Sequence, residues 1–173
     1  WIWPNPFVLI KHDNHLQFAQ DRTVPSPHTP FECSLSQNGR QWFSIDQLNS
    51  DYNFKKNSTI YSEIEQSSKI LENFIYLQKE NYSIGNKKII LVGFSQGAMM
   101  ALHLGLKLES EIACIVGFSG ALISFDNSEN TNKSFPSVFL AHGELDNVVN
   151  CNETMKAYNQ LSKITHNIEK YIE

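Results

Sequence analysis

One serine in this sequence has the surroundings of a nucleophile. Residues 93–97 read Gly-Phe-Ser-Gln-Gly, a Gly-x-Ser-x-Gly match that ordinary residue frequencies would produce by chance in about one chain in twenty of this length. The apolar run 88–92 precedes the motif and an apolar segment starting at Ala98 follows it. A strand that enters and a helix that leaves would hold the serine hydroxyl at the tip of a strained turn. The pattern predicts Ser95 as nucleophile and the Gln96 N–H as an oxyanion donor.

A second Gly-Phe-Ser occurs at residues 117–119, again after an apolar run. Ala121 stands where the second glycine of the motif belongs. We therefore interpret Ser119 as a turn residue near the site and not as a second nucleophile. The alternative for Ser95 is a glycine-bracketed turn without chemistry.

A serine hydroxyl needs a histidine that takes its proton and an acid that orients the histidine. In a strand–turn–helix site the chain order is serine, acid, histidine. The apolar run 137–141 leads to Glu144 and Asp146. Asp146 is preferred because the Asn-Val-Val that follows can anchor its loop, although a plain turn role is the alternative. His166 is the only histidine after Asp146, so order selects it as the base, with a surface histidine as the alternative.

The other histidines fit the role of base less well. His142 ends a predicted strand ahead of the acid and is expected to shape the acid's loop. His103 lies on the helix after the motif and is expected to pack. His12, His15 and His28 precede the nucleophile.

The elements that must position these residues alternate between helices and buried strands. Apolar residues at helical spacing predict a helix from Ser58 to Tyr82, capped by Ser58 or Thr59, with Gly85 just past its end. Unbroken apolar runs are typical of parallel strands covered on both faces. Further helices are expected at 98–108 and 152–162, and strands at 6–10, 88–92, 112–117 and 137–141. The alternation predicts one α/β domain over residues 1–173, a three-layer α/β/α sandwich with a mostly parallel central sheet.

Composition limits the partners and the compartment. The net charge of −4 argues against nucleic acid as a partner. No apolar stretch approaches the ~20 residues of a membrane-spanning helix. The cysteines Cys33, Cys114 and Cys151 are odd in number and widely spaced, which favours reduced thiols in a cytoplasmic protein and offers no metal-binding spacing.

Three segments together resemble the phospholipase/carboxylesterase family, which includes the acyl-protein thioesterases. They are ILVGFSQGAMMA at 90–101, AHGELDNVV at 141–149 and GRQWFS at 39–44. The segment Thr-His-Asn-Ile at 165–168 resembles the family's Gly-His segment, with threonine in place of glycine. The resemblance implies an α/β-hydrolase fold and hydrolysis of carboxylic esters or thioesters without a metal or cofactor.

By position, the resemblance carries the catalytic triad onto Ser95, Asp146 and His166. It also implies that Trp42 and Phe94 border the acyl pocket, the alternative being ordinary core aromatics.

The chain departs from the family pattern at two places. The strand at 6–10 lacks the glycine-rich loop that supplies the second oxyanion N–H in the family. Only three residues separate the helix at 151–162 from His166, too few at ~3.3 Å each for a strand that crosses the sheet. We hypothesise that residues are missing at 10–11 and at 163–164.

The sequence therefore predicts a serine carboxylesterase or thioesterase that forms an acyl-enzyme on a small-molecule or acyl ester. A non-catalytic binding protein on the same scaffold and a hydrolase of lactones or peptides are the alternatives. An exposed apolar patch beside the site would favour a homodimer or a lipid surface.

Overall fold

The structure is a computed structural model that describes residues 7–11, 22–23, 25–33, 39–44, 52, 54–125 and 134–173. Its strands are β1 (Phe7–Lys11), β2 (Arg22–Thr23), β3 (Phe31–Glu32), β4 (Arg40–Gln41), β5 (Ile89–Phe94), β6 (Cys114–Phe118), β7 (Ser137–His142) and β8 (Ile168–Ile172). Its helices are α1 (Thr59–Tyr82), α2 (Gln96–Lys107) and α3 (Asn152–Leu161), with a 3-10 turn at Asn86–Lys88. His12 and His15 lie outside the described residues.

A six-stranded sheet in the order β2-β1-β5-β6-β7-β8 forms the centre of the fold. The strands from β5 to β8 are parallel, whereas β1 pairs antiparallel with both β5 and β2. A separate antiparallel pair joins β3 to β4. The predicted α/β class with a mostly parallel central sheet is therefore confirmed.

The described helices pack on one face of this sheet. Gly105 of α2 approaches the Ile115 side chain so closely that an added Cβ would lie 2.6 Å from its Cδ1. On α3, Thr154 Oγ1 lies 2.7 Å from Nδ1 of His142, whose side chain shares the buried face of β7 with Leu140. The opposite face carries half-buried side chains such as Val116, and the expected second helical layer is not among the described residues.

The longest helix, α1, begins and ends as its sequence predicts. Ser58 is the N-cap, and its hydroxyl accepts a hydrogen bond from Tyr61 N at 3.2 Å. The C-cap is Ser83, which adopts the left-handed conformation with φ of 51°. Glycine usually fills such a position because a Cβ is disfavoured there. Gly85, two residues later, instead precedes the 3-10 turn.

His103 joins α1 to α2, which agrees with the packing role expected from its sequence position. Its Nε2 lies 3.1 Å from Glu65 Oε1 and 3.3 Å from Lys107 Nζ. Burial of the ring, followed by the charge of Lys107, lowers the pKa of His103. The neutral ring therefore belongs to the helix packing.

Both places where residues were hypothesised to be missing adopt regular local structure. Strand β1 continues through Lys11, and hydrogen bonds pair it with β2. A turn crosses 163–164, where Lys163 N donates to Gln160 O (3.3 Å) and Ile164 N donates to Leu161 O (2.9 Å). A strand is present in this part of the chain, but β8 follows His166 instead of preceding it.

Strand β5 and helix α2 meet at Gly93 with almost no space between their backbones. A Cβ on Gly93 would lie 2.3 Å from the carbonyl carbon and oxygen of Gly97 and 2.4 Å from Ala98 N. These are main-chain atoms, so they cannot move aside as a flexible side chain could. Only glycine allows the sharp turn that carries Ser95.

Replacing Gly93 with alanine is therefore expected to lower the free energy of unfolding by about 2–4 kcal/mol. The matched control is Gly85→Ala, because a Cβ there meets nothing within 4 Å and the backbone φ is −87°. Urea denaturation of both variants measures the difference. Equal stabilities of the two variants would contradict the proposed close approach.

Candidate active site

Ser95 lies at the turn between β5 and α2, at the carboxyl edge of the sheet. Its φ of 52° and ψ of −121° are a strained combination for a residue with a side chain. Its N–H donates to Phe118 O at 2.8 Å, while its own carbonyl accepts from Ala98 N and Met99 N. Because Gln96 is the first residue of α2, its N–H has no partner inside the helix. The Gln96 N–H is thus suited to an oxyanion, as the motif predicts.

The side chain of Gln96 has a second function that its sequence position does not indicate. Its Oε1 accepts from Trp42 N at 2.7 Å, and its Nε2 donates to Phe43 O at 2.7 Å. Both hydrogen bonds are buried. The amide group therefore fastens the segment before α1 to the turn that carries Ser95.

Trp42 is a core residue in this structure. None of its surface is accessible, and the same holds for Phe43. The main-chain carbonyl oxygen of Trp42 also accepts a hydrogen bond from the Ser67 hydroxyl at 2.5 Å. The structure thus agrees with the alternative reading of Trp42 as a core aromatic, and contact with an acyl group stays a prediction.

Asp146 lies in the loop after β7, at the same edge of the sheet as Ser95. Its Oδ1 accepts from Val148 N at 2.8 Å and from Val149 N at 3.0 Å. Burial of the carboxyl group raises its pKa, but the hydrogen bonds from Val149, Val148 and Ser119, together with the charge of His142, outweigh burial and lower the pKa. Asp146 is therefore an ionised, oriented carboxylate at neutral pH.

His142 shapes this loop, as expected from its position at the end of β7. Its Nδ1 lies 2.7 Å from Thr154 Oγ1 and its Nε2 lies 2.8 Å from Val149 O. Nε2 is also 3.5 Å from Asp146 Oδ2, and the side chain has no exposed surface. Because both ring nitrogens are engaged, His142 is a structural residue and not a base for Ser95.

His166 lies at the opposite edge of the sheet from Ser95. It precedes β8, which runs parallel to β7, and the neighbouring Asn167 O accepts from Val138 N at the start of β7. The five residues of β8 separate its two ends by about 13 Å. In this arrangement the His166 imidazole does not reach the Ser95 hydroxyl, so the structure does not bring the three residues of the predicted triad together.

The family's second oxyanion donor follows the strand that corresponds to β1, and here residues 12–21 lie outside the described residues. Because β1 is antiparallel to β5, Ile10 pairs with Ile89, the first residue of β5. The described end of β1 therefore lies at the edge opposite Ser95.

The second Gly-Phe-Ser segment is closer to the site than its sequence pattern indicates. In the parallel register Gly93 pairs with Gly117 and Phe94 with Phe118, so the two segments lie side by side. The rings of Phe94 and Phe118 are 45% and 40% exposed, which makes them a paired apolar surface next to Ser95. The repeated tripeptide at equivalent strand ends is the sequence signal that could have identified Phe118.

In the part of the chain that the structure describes, no cluster of three or more histidine, cysteine, aspartate or glutamate side chains could hold a metal ion. No described helix has the length and apolar character needed to cross a membrane.

The fold and the turn at Ser95 define a protein of the α/β-hydrolase class. The chain belongs to the phospholipase/carboxylesterase family, whose model matches residues 14–172. The structure is similar to a crystal structure of esterase PE8, with a TM-score of 0.75 and 29% identity, covering 88% of this chain and 68% of that one.

Curated relatives include two acyl-protein thioesterases. The match to acyl-protein thioesterase 1 of Gibberella zeae is 30% identical over 132 residues and covers 73% of this chain and 55% of the relative. The match to acyl-protein thioesterase 1 homolog 2 of Dictyostelium discoideum is 30% identical over 141 residues and covers 80% of this chain and 59% of the relative. The chain thus spans little more than half the length of these relatives.

We expect Gln96→Ala to lower the free energy of unfolding by about 2–4 kcal/mol, because it leaves two buried main-chain groups without their partners. Gln66→Ala is the control, since Gln66 is exposed on α1. Chemical denaturation checks both variants. A loss no larger than that of the control would show that the amide group does not fasten the two segments.

Proposed function

We propose that this protein hydrolyses carboxylic esters or thioesters, with Ser95 as nucleophile and Asp146 as the acid. The observation that carries the proposal is the strained turn at Ser95 on the same sheet edge as the hydrogen-bonded Asp146 carboxylate. Ligands of parallel α/β sheets bind at the carboxyl ends of the strands. The esterase and the thioesterases among the relatives support the same reaction class.

In the proposed reaction the Ser95 hydroxyl attacks the acyl carbonyl as its proton passes to an imidazole. The Gln96 N–H, at the amino end of α2, stabilises the negative charge that develops on the carbonyl oxygen. The leaving alcohol or thiol takes the proton back, and water then releases the acid from the acyl-serine.

The imidazole has to stand beside Asp146, because the carboxylate must accept a hydrogen bond from it. The end of β8 lies at this position. Glu144 N donates to Glu173 O at 2.6 Å, and Glu173 N donates to His142 O at 3.1 Å. A base entering from this side would face both Asp146 and the turn at Ser95.

Phe94 remains our candidate for contact with the acyl group, and the structure adds Phe118 beside it. Two partly exposed rings next to the nucleophile offer an acyl chain a surface that excludes water. Leu145 and Val148, which flank Asp146, are 89% and 86% exposed. These apolar surroundings support an apolar acyl substrate. An exposed apolar surface also suits contact with a second copy of the chain, so a homodimer stays a prediction.

The position of His166 favours one competing function, a binding protein that keeps the hydrolase scaffold without turnover. The His142 imidazole near Asp146 has both ring nitrogens engaged, and without a further imidazole at Ser95 the serine hydroxyl would not be activated. The three cysteines, which are free thiols in this structure, support a reducing compartment such as the cytoplasm in either case.

Ser95→Ala is expected to lower turnover of p-nitrophenyl acetate by a factor of about 10³ or more, with unchanged unfolding. Ser62→Ala, on the exposed side of α1, is the matched control. Labelling by a fluorophosphonate, followed by peptide mapping, should modify Ser95. Absence of Ser95-dependent turnover and labelling in the parent protein would favour the binding function.

His166→Ala tests whether His166 takes part in catalysis, since the sheet topology places it far from Ser95. Because His166 is exposed at the far edge, its loss should leave the rate of ester hydrolysis unchanged. A loss comparable to that of Ser95→Ala would restore His166 as the base and reject the strand order at β8.

Phe94→Ala is expected to lower kcat/KM for a p-nitrophenyl hexanoate by about tenfold, or about 1.4 kcal/mol, because the longer chain loses an apolar contact. The acetate ester should be affected much less, since its acyl group is too short to cover the ring. An equal loss on both esters would argue against an acyl contact at Phe94.

A further inference from the structure

His142 and Thr154 form a buried polar pair beside the loop that contains Asp146. His142 is the last residue of β7, and Thr154 lies in the first turn of α3. Thr154 Oγ1 is 2.7 Å from His142 Nδ1. Both residues are buried, so water does not compete for this contact. The pair is therefore a direct link between α3 and the strand that leads to the acid.

The partners of the His142 imidazole indicate which ring nitrogen carries the proton. Val149 O, 2.8 Å from Nε2, is a carbonyl oxygen and can only accept a hydrogen bond. Nε2 is therefore the donor, and the uncharged ring has a lone pair on Nδ1. The Thr154 hydroxyl is the group placed to donate to that lone pair. The tautomer is thus assigned from the hydrogen-bond partners.

Val149 continues this connection to the carboxylate. Its carbonyl accepts from His142 Nε2, and its N–H donates to Asp146 Oδ1 at 3.0 Å. The protonated side of the imidazole also faces the acid directly, since Nε2 lies 3.5 Å from Asp146 Oδ2. A continuous series of hydrogen bonds therefore runs from the hydroxyl on α3, through the ring and the main chain of Val149, to the acid.

The hydroxyl of Thr154 is needed because a buried ring nitrogen without a partner is unfavourable. Valine has the shape of threonine but no hydroxyl, and it would take the donor away from His142 Nδ1. A ring that rotates in search of another partner would also withdraw Nε2 from Val149 O. The loss of one hydroxyl on α3 would thus reach the loop of the acid.

We propose that Thr154 is a positioning residue whose hydroxyl holds the His142 ring in place with its proton on Nε2. Through Val149, the ring then fixes the loop that presents the Asp146 carboxylate. This inference rests on the proposed function only in taking Asp146 as the catalytic acid. The effect on the reaction comes from the orientation of the acid, because small displacements of a catalytic group slow a reaction strongly.

The tautomer of His142 is measured first, in the unmodified protein. A long-range ¹H–¹⁵N correlation spectrum distinguishes ring nitrogens with a proton from those without one. We expect the proton on Nε2 and a lone pair on Nδ1. A proton on Nδ1, in an uncharged or a charged ring, would overturn the proposal, because Thr154 could then not be its donor. This measurement needs neither a substitution nor turnover.

Three variants then test the hydroxyl itself. Thr154→Val removes it and keeps the shape of the side chain, whereas Thr154→Ser keeps it and removes the methyl group. Thr165→Val is the matched control, because Thr165 is also buried and its hydroxyl accepts from Asn167 N at 3.3 Å, near the amino end of β8. Circular dichroism confirms that each variant is folded.

In Thr154→Val the ¹⁵N signal of His142 Nδ1 and the amide signals of Val148 and Val149 should shift. Thr154→Ser should keep these signals near their positions in the parent protein, and Thr165→Val should not move them. Unchanged signals in Thr154→Val would overturn the proposal. A shift that is equally large in Thr154→Ser would assign the effect to packing of the methyl group and would also overturn it.

Turnover separates this inference from the proposed function. Thr154→Val should lower kcat for p-nitrophenyl acetate about tenfold while KM stays unchanged, and Thr154→Ser should retain most of the parent's kcat. An unchanged kcat in Thr154→Val would reject the positioning of the acid, even if the spectra shift. A parent protein without Ser95-dependent turnover would reject the proposed function, and the spectra would still decide whether Thr154 holds His142 and its loop.

Discussion

The backbones of β5 and α2 touch at Gly93, and the arrangement of the candidate site follows from that contact. Main-chain atoms of the helix lie within 2.4 Å of the point where a Cβ of residue 93 would be, which is possible only because glycine has none. The chain must then reverse direction in one residue, and Ser95 takes the positive φ that this reversal demands. Ser95 is only partly buried at this turn, and it directly precedes the first N–H groups of α2, which have no partner inside the helix.

The neighbouring strands bring the rest of the site to the same edge. Because β5, β6 and β7 are parallel and in register, Ser95, Ser119 and the loop of Asp146 all follow carboxyl ends of adjacent strands. Strands in a sheet are about 4.8 Å apart, so residues distant in sequence become neighbours. The side-chain amide of Gln96 also stabilises this edge, because it forms hydrogen bonds with the main chain of Trp42 and Phe43.

Several local features follow from the amino-acid pattern alone. The boundaries of α1, the apolar β5, the strand–turn–helix at Ser95 and the loop role of His142 all agree with their sequence patterns. Trp42 shows where such patterns are insufficient. An indole beside a motif can line a pocket or fill the core, and only the packing of α1 against the turn decides which.

The sequence by itself determined the class of fold, the family and the residue at the sharp turn, because each depends on short-range steric and apolar patterns. The tertiary structure alone decided which residues meet. His166 follows Asp146 in the chain, as a base should. It lies before the amino end of β8, however, and the length of that strand, about 13 Å, separates it from the opposite edge. Ser119 lacks one glycine of the nucleophile motif, yet the register of β6 places it at the same edge of the sheet as Ser95 and the loop of Asp146. Chain order carries no information about strand direction, and strand direction determines the edge at which a side chain arrives.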